Sequence, residues 1–558
     1  MSNYMNTNKI LTLSISLLLG ATSAVAAVKL PAIISSGMVV QRDHPFTLWG
    51  TADPGEKVKV KIKGGKSADT VADTDGSWTI TLPPLKTGKT HSVTVGDITL
   101  EDILVGDVLL CSGQSNMELP IARVMDLLED DYRNYPSQAS VYPVIRQFKV
   151  PKEVEFGPAR TDVDPSASWK SASQDGDNFS ALAFYTARAL HEKTGLPVGL
   201  VNASWGGTPV ESWVSDSHLA SFPLCINKKS IYSDPAYREA VKTLENRNYE
   251  EWNRVLRESD PGLRQEKYYS PSLSDSDWEE IDLFSTSWGT DGMKPANGTH
   301  WLRKSFRISA DKAGQPATLR LGCIVDADSV WVNGRQVGFT SYQYPPRIYH
   351  IPAGLLREGE NNVTIQLISQ HGKPHFVPEK PYKIILGSSP HTRYGLTEPD
   401  EISLEGKWRY HRGAEMPEGP GMMFWCYLPS VLYNSMIAPV IKYPVRGAVW
   451  YQGESNVDRS NLYAPLFTAL TSCWREASGN SEMPFYVVEL AGFLHPSDKA
   501  GQAAWQKMRD VQRDMCHTIP AATLIPNADL GEWNDIHPLD KKTLGSRVAE
   551  SIYNDLNQ

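Results

Sequence analysis

The residues most suited to chemistry stand at the ends of apolar strands. Gly113-Gln114-Ser115-Asn116 sets a serine at the tip of a strand-to-helix turn. A serine hydroxyl becomes nucleophilic only when a general base takes its proton. Backbone N–H groups at such a turn also stabilise an oxyanion. Taken alone, a serine there is more commonly a helix N-cap. The pattern is not the Gly-x-Ser-x-Gly elbow, and its place on the first strand of its sheet differs as well. Three further polar, glycine-containing stretches follow apolar strands: Ser204-Trp205-Gly206-Gly207-Thr208, Gln452-Gly453-Glu454-Ser455-Asn456 and Asn527-Ala528-Asp529-Leu530-Gly531. Open parallel sheets bind ligands at the carboxyl ends of their strands. If the four strands share one sheet, Ser115, Gly206, Gly207, Gln452 and the 527–537 region converge on one site.

The elements that would position them are legible in the hydrophobic pattern. Residues 28–104 read as a small N-terminal β domain, with strands such as Val58 to Ile62 between turns at Asp53-Pro54-Gly55 and Asp75-Gly76. An α/β pattern starts at 105. The apolar strand Ile103 to Cys111 precedes the serine turn, and Phe179 to Lys193 has helical spacing with Ser180 or Asn178 as cap. Gly195 closes that helix, and Leu196 to Asn202 is the next strand. Alternating helix and strand predicts a parallel sheet. Residues 105–268 form the first part of this domain, and 230–268 are polar and helical in pattern. Residues 269–395 turn β again, with a hairpin signal at Asn333-Gly334, and read as an inserted β-sandwich. Leu404 to Arg412 belongs with one of the β modules. The α/β pattern resumes over 396–558, with a helix expected at 428–441, strands near 447, 484 and 522, and a last helix from Pro538.

Composition narrows the function classes. The chain has 558 residues, 41% apolar and 21% charged, enough for two to four domains. Its net charge is −9 with no basic block, which argues against a nucleic-acid partner. The 16 Trp and 23 Tyr suit stacking on sugar rings, although most such residues pack in cores. Residues 1–27 resemble a secretory leader: Ile10 to Gly20 is an apolar run, and Ala24-Val25-Ala26 supplies a small-residue cleavage site. That run is too short to span a bilayer, so an exported chain, periplasmic or extracellular, without membrane insertion is expected. Six widely spaced cysteines specify neither a disulfide framework nor a zinc site.

Four blocks together carry a family resemblance. Gly113-Gln114-Ser115-Asn116-Met117, Trp205-Gly206-Gly207-Thr208, Trp450-Tyr451-Gln452-Gly453-Glu454-Ser455-Asn456 and Asp535-Ile536-His537-Pro538 resemble, in this order, the motif blocks of sialate O-acetylesterases, a branch of the SGNH hydrolases. The resemblance covers nearly the whole chain after residue 27. It implies an SGNH-type α/β parallel-sheet hydrolase fold with the N-terminal β domain and an inserted jelly-roll-like sandwich. It implies Ser115 as nucleophile, His537 as general base and Asp535 as the acid that orients the histidine. It also implies an oxyanion hole from the N–H groups of Ser115 and of Gly206 or Gly207, with Gln452 as an added amide donor. One residue separates Asp535 from His537, so Asp529, Glu454 or a backbone carbonyl are alternative partners, and Asp535 is alternatively a helix cap. Glu454 reads better as a structural carboxylate than as a substrate ligand. Gln114 and Asn116 either hold the turn or meet substrate. Trp205 and Trp450 either line a sugar site or pack in the core. Arg509, Lys541 and Lys542 either meet a substrate carboxylate or, for the lysines, lie on a solvated helix face.

The implied reaction is acyl transfer to water through an acetyl-enzyme, which needs neither a metal nor an organic cofactor. The implied partner is an O-acetylated sugar or sialoglycan. Acetylated xylan is the rival substrate. A glycan-binding protein with a degenerate hydrolase core is the rival class, and the intact Ser115, His537 and Gln452 argue against it. The inserted module resembles the sugar-binding jelly roll of β-galactosidase-like glycosidases, but a glycoside hydrolase requires an opposed carboxylate pair that the sequence does not identify. Oligomeric state is open.

Overall fold

A computed structural model describes residues 28–124, 142–285, 296–388 and 400–557. The leader read at 1–27 and the boundary read at 395 fall outside the described residues.

The main sheet grows around one long strand, Ile98–Gly113. Its first part pairs antiparallel with His91–Val95 and parallel with Val39–Gln41. Its second part pairs in parallel with Val198–Ser204 on one side and Gly447–Tyr451 on the other. Val108, Leu109, Leu110 and Cys111 are all buried, as an unalternating apolar run must be when both sheet faces are covered. Across the sheet the order is Ala522–Ile525, Phe485–Val488, Gly447–Tyr451, Ile98–Gly113, Val198–Ser204, Ile145–Lys149 and Trp169–Ser171. Every neighbour along this path is parallel except the last. The chain builds one side of Ile98–Gly113 first and then returns to build the other. A crevice therefore opens at the carboxyl end of that strand.

Helices cover this sheet, and one of them carries the caps that the sequence predicts. Ala181–Thr194 starts at Ser180, whose Oγ accepts from Ala183 N at 3.2 Å, and ends at Gly195 with φ 68°. It packs on the last helix, Lys541–Leu556, while Ser460–Ser478 packs on Lys499–Thr518. The continuous helix expected at 428–441 is not formed. A single wide turn, Tyr433–Ile437, replaces it. Pro439 has no N–H to extend a helix. Asn434 and Ser435 turn their side chains to the carbonyls of Glu155, Gly157 and Glu153 instead.

The N-terminal strands share the apolar core of the α/β layers: Leu48, Val60 and Trp78 belong to the same cluster as Leu109, Trp450 and Val548. A second core is separate. It lies between a six-stranded sheet, which includes Gly298–Ile308, Gly359–Ser369 and Ala327–Val332, and a four-stranded sheet built on Ala317–Leu321 and Tyr382–Leu386. Leu302, Val330 and Ile365 of the first meet Leu319, Ile351 and Ile384 of the second. Each side chain of this size contributes roughly 2–3 kcal/mol when fully buried. Asn333 and Gly334, with φ 48° and 82°, make the two-residue turn of the hairpin Ala327–Val332 to Arg335–Thr340. Lys407–Glu415 joins this six-stranded sheet beside Gly298–Ile308, as the pattern at 404–412 anticipates.

All six cysteines are free thiols, buried or half-buried. Among the described residues no helix is long and apolar enough to cross a membrane.

Candidate active site

Four strand ends meet where the crevice opens. Gly113 has φ 133°, and a Cβ on it would sit 2.0 Å from the Tyr451 carbonyl oxygen. Only glycine lets the serine turn pass so close to the next strand. Gln114 N donates to Tyr451 O at 3.0 Å, and Ser115 opens the short helix Ser115–Glu118. The Gln114 side chain fastens the turn to the 452–455 loop. Its Oε1 accepts from Gln452 Nε2 at 3.1 Å and from Ser455 N at 3.3 Å.

Ser115 Oγ and His537 Nε2 lie 2.8 Å apart, although 422 residues separate them in the chain. His537 is 7% exposed. Its Nδ1 is 3.8 Å from Asp535 Oδ1, beyond hydrogen-bond range, and has no other partner among the described residues. Asp535 Oδ1 instead accepts the backbone N–H of His537 at 2.8 Å. The other candidate carboxylates are engaged elsewhere. Asp529 pairs with Arg547 at 2.6 Å, and Glu454 Oε1 accepts from Asn116 Nδ2 at 2.6 Å. Asp535 is therefore the candidate carboxylate that lies beside the histidine ring. The last helix is capped by Asp540 rather than by Asp535.

Burial pushes His537 down to about 3, with Arg123 and Lys541 adding to the effect. The ring is thus neutral at ordinary pH, the form that accepts a serine proton. For a base active when unprotonated, a depressed pKa moves the acid limb downward. The kcat/KM of the protein is expected to hold through pH 5 and to fall only as pH approaches 3. A limb centred near 6.5 would contradict this environment for the histidine.

The oxyanion donors need separate accounts. Gly206 and Gly207 line the same cavity as Ser115. Gly207 has φ 76°, and a Cβ there would collide with the Tyr427 hydroxyl at 1.9 Å. The Gly206 N–H donates to Glu118 Oε2 at 2.7 Å, and Glu118 is also paired with Lys152. An acyl oxygen seated on that N–H would displace Glu118. Gln452 differs from expectation. It is fully buried and does not line the cavity, because its Nε2 donates to Asn456 Oδ1 at 2.7 Å, to Gln114 Oε1 at 3.1 Å and to Thr208 O at 3.3 Å. Three inward acceptors hold the amide away from the crevice.

Asn116, 1% exposed, ties three segments together. Its Nδ2 donates to Glu454 Oε1 and to Ile536 O at 3.0 Å, and its Oδ1 accepts from Lys541 Nζ at 2.8 Å. Lys541 is consequently not on a solvated face. It is 1% exposed, stands over the Tyr451 ring at 5.2 Å, and burial lowers it to about 7. Burial also raises the Glu454 carboxyl. Trp205 lines the cavity under Lys152, 5.5 Å from its ring centroid. Trp450 is core, edge-on to Trp213 and Trp474.

The cavity encloses about 1270 Å³ and has a wall that the serine and histidine blocks do not disclose. Tyr342, Gln343 and Tyr344, from the β-rich segment, face Ser115 across it, with Tyr249, Phe424 and Tyr427 from elsewhere. Tyr344 sets its ring edge-on to His537, centroids 5.3 Å apart. The same segment grips the histidine loop: Lys380 Nζ donates to Glu532 Oε2 at 2.7 Å and Asp535 Oδ2 at 3.2 Å, Trp533 Nε1 to Glu379 Oε2 at 2.9 Å, and Asn534 Nδ2 to the Pro378 carbonyl at 2.7 Å. Lys380 thus ties the loop that carries Asp535 and His537 to the β-rich segment. Lys380→Met is expected to lower kcat roughly 10- to 100-fold while KM changes little, because small misplacements of a proton-transfer group are costly. Steady-state kinetics check this, and an unchanged kcat would count against it. Neither Tyr344 nor Lys380 has a local motif to announce it.

A family model described as carbohydrate esterase, sialic acid-specific acetylesterase, matches residues 419–554. The rat sialate O-acetylesterase is 31% identical over 550 residues, 92% of this chain and 71% of the rat protein. The mouse sialate O-acetylesterase is 32% identical over 203 residues, a match spanning 33% of this chain and 36% of the mouse protein. Among solved structures, a carbohydrate acetylesterase from Xanthomonas citri shares the fold with a TM-score of 0.52 at 21% identity, over 94% of this chain and 74% of that one. With the alignment to the rat relative running over 92% of this chain and 71% of that protein, the chain belongs to the sialate O-acetylesterase family of carboxylic ester hydrolases.

Proposed function

We propose that this protein is an exported serine esterase that removes O-acetyl groups from sialic acids. The observation that carries the reading is the 2.8 Å approach of Ser115 Oγ to a neutral, buried His537 at the mouth of an aromatic-walled cavity. In the reaction, His537 Nε2 takes the Ser115 proton as Oγ attacks the acetyl carbonyl. Backbone N–H groups of Ser115 and of Gly206 or Gly207 receive the developing oxyanion. The C–O bond to the sugar breaks, and the imidazolium returns its proton to the leaving hydroxyl. Water then attacks the acetyl-enzyme with His537 again as base, releasing acetate and restoring Ser115. Asp535 would stabilise the imidazolium once the 3.8 Å gap closes. Hydrogen bonds of this kind commonly tighten only with substrate in place.

The β-rich segment belongs to this reading as a jelly-roll-like module that frames the entrance and steadies the histidine loop. The N-terminal strands would be a β domain fused to the hydrolase core, and the leader at 1–27 would direct export. The test is acetate release from 9-O-acetylated sialic acid and from acetylated xylan, with wild type and Ser115→Ala side by side. Serine-dependent preference for the sialic acid supports the proposal. Preference for xylan would keep the mechanism and replace the substrate.

A further inference from the structure

The cations flagged by sequence as carboxylate ligands are not at the cavity. Arg509 Nη2 bonds Gln506 on its own helix, Lys541 is sealed beneath the serine turn, and neither these nor Lys542 line the crevice. Another cation is. Arg123, on the short helix Ile121–Val124, lines the same cavity as Ser115 and His537. Its one hydrogen bond among the described residues is weak, from Nη2 to the Tyr344 carbonyl at 3.3 Å. Its Nε is buried with no partner, and no carboxylate pairs with it among the described residues.

The neighbouring cations contrast with it. Arg459 is held by Glu211 at 2.5 Å, and Lys152 is taken by Glu118. Lys228 lies exposed on its helix, where water satisfies an ammonium group. Of the cations lining the cavity, Arg123 is the one whose half-buried guanidinium keeps most of its donors unspent among the described residues. Guanidinium offers two parallel N–H groups that match a carboxylate, and a buried donor left unpaired is costly until an acceptor arrives. The Arg123 charge already reaches His537, so a bound anion would lie close to the reacting centre.

From this we infer that Arg123 is the residue that takes the carboxylate of an acidic acetylated sugar, and that it sets a preference for anionic over neutral esters. The inference rests on the esterase reading for its biological sense, but not for its test.

Two measurements separate the two. In the first, kcat/KM is compared for 9-O-acetyl-N-acetylneuraminic acid and for its carboxyl methyl ester. Wild type is expected to favour the free acid by about 10- to 100-fold, the range of a charge-assisted pair. Arg123→Gln should collapse that ratio towards one, mainly through KM, and Arg123→Lys should keep part of it. In the second, binding of N-acetylneuraminic acid and its methyl ester is measured by calorimetry, with no turnover required. Binding that discriminates through Arg123 without turnover would overturn the esterase and support the carboxylate site. Turnover with equal loss on acid and methyl ester in Arg123→Gln would overturn the carboxylate site and leave the esterase. Neither turnover nor binding would overturn both.

Discussion

Ser115→Ala is expected to lower acetyl-ester turnover by roughly 10⁴-fold or more, with little change in substrate binding or thermal stability. The size of the effect follows from covalent chemistry. In the proposed mechanism no acetyl-enzyme forms without Oγ, and water would have to attack the ester directly. The stability expectation follows from position. The serine lines a cavity, and its side chain has His537 Nε2 as its main partner. His537→Ala should cost about as much, and the double variant no more than either single one, because residues acting as a unit are strongly non-additive. Initial rates on a chromogenic acetyl ester check all three. Losses that multiply across the double variant would show that Ser115 and His537 act independently, and would overturn the catalytic pair proposed from their 2.8 Å contact.

Arg347→Met is expected to produce the largest loss of stability, about 3–5 kcal/mol in the β-rich segment. Arg347 and Asp328 are both fully buried, and their ion pair closes at 2.5 Å. Every guanidinium donor is spent: Nε on Asp328, Nη1 on the carbonyls of Gln343 and Pro345, and Nη2 on those of Ile324 and Asp326. Asp328 Oδ2 accepts from Tyr349 Oη at 2.6 Å. Removing the cation leaves a buried carboxylate with one neutral partner and four carbonyls without their donor. A functional consequence is built in, because two of those carbonyls flank Tyr344, which packs on His537. Activity should therefore fall at temperatures below the unfolding transition. Denaturant titration followed by fluorescence, together with activity against temperature, checks both halves. A denaturant midpoint within about 0.1 M of wild type would count against this account. Asp328→Asn keeps the shape and removes only the charge, so it should cost less than Arg347→Met.

Local chemistry was readable wherever one stretch of chain sets its own conformation. The Ser180 cap, the Gly195 stop and the Asn333-Gly334 hairpin each follow from a few consecutive residues. Three of the four strand ends were readable because a doubly covered strand must be apolar throughout and the loop after it must not be, whereas the edge strand Ala522–Ile525 is only partly buried. Their convergence then followed from topology, since parallel strands present their carboxyl ends together. The helix expected at 428–441 failed for the opposite reason. Its apolar spacing was real, but Pro439 and the inward turn of Asn434 and Ser435 outweighed it.

By itself, then, the sequence determined the strands that lead into the site, the turns that carry Ser115 and Gly206, and the family to which those motifs belong. Tertiary structure alone decided how the side chains are spent. Lys541 and Lys542 are adjacent in the chain, yet only Lys541 is sealed against Asn116 and Tyr451. Gln452 sits in a motif but turns into the protein, where three acceptors wait. Lys380 and Tyr344 reach the histidine from a segment more than a hundred residues away in the chain. A periodic pattern reports which face of an element is buried. It carries no record of which distant donor or acceptor that face will meet, and hydrogen bonding in a buried site is decided by those meetings.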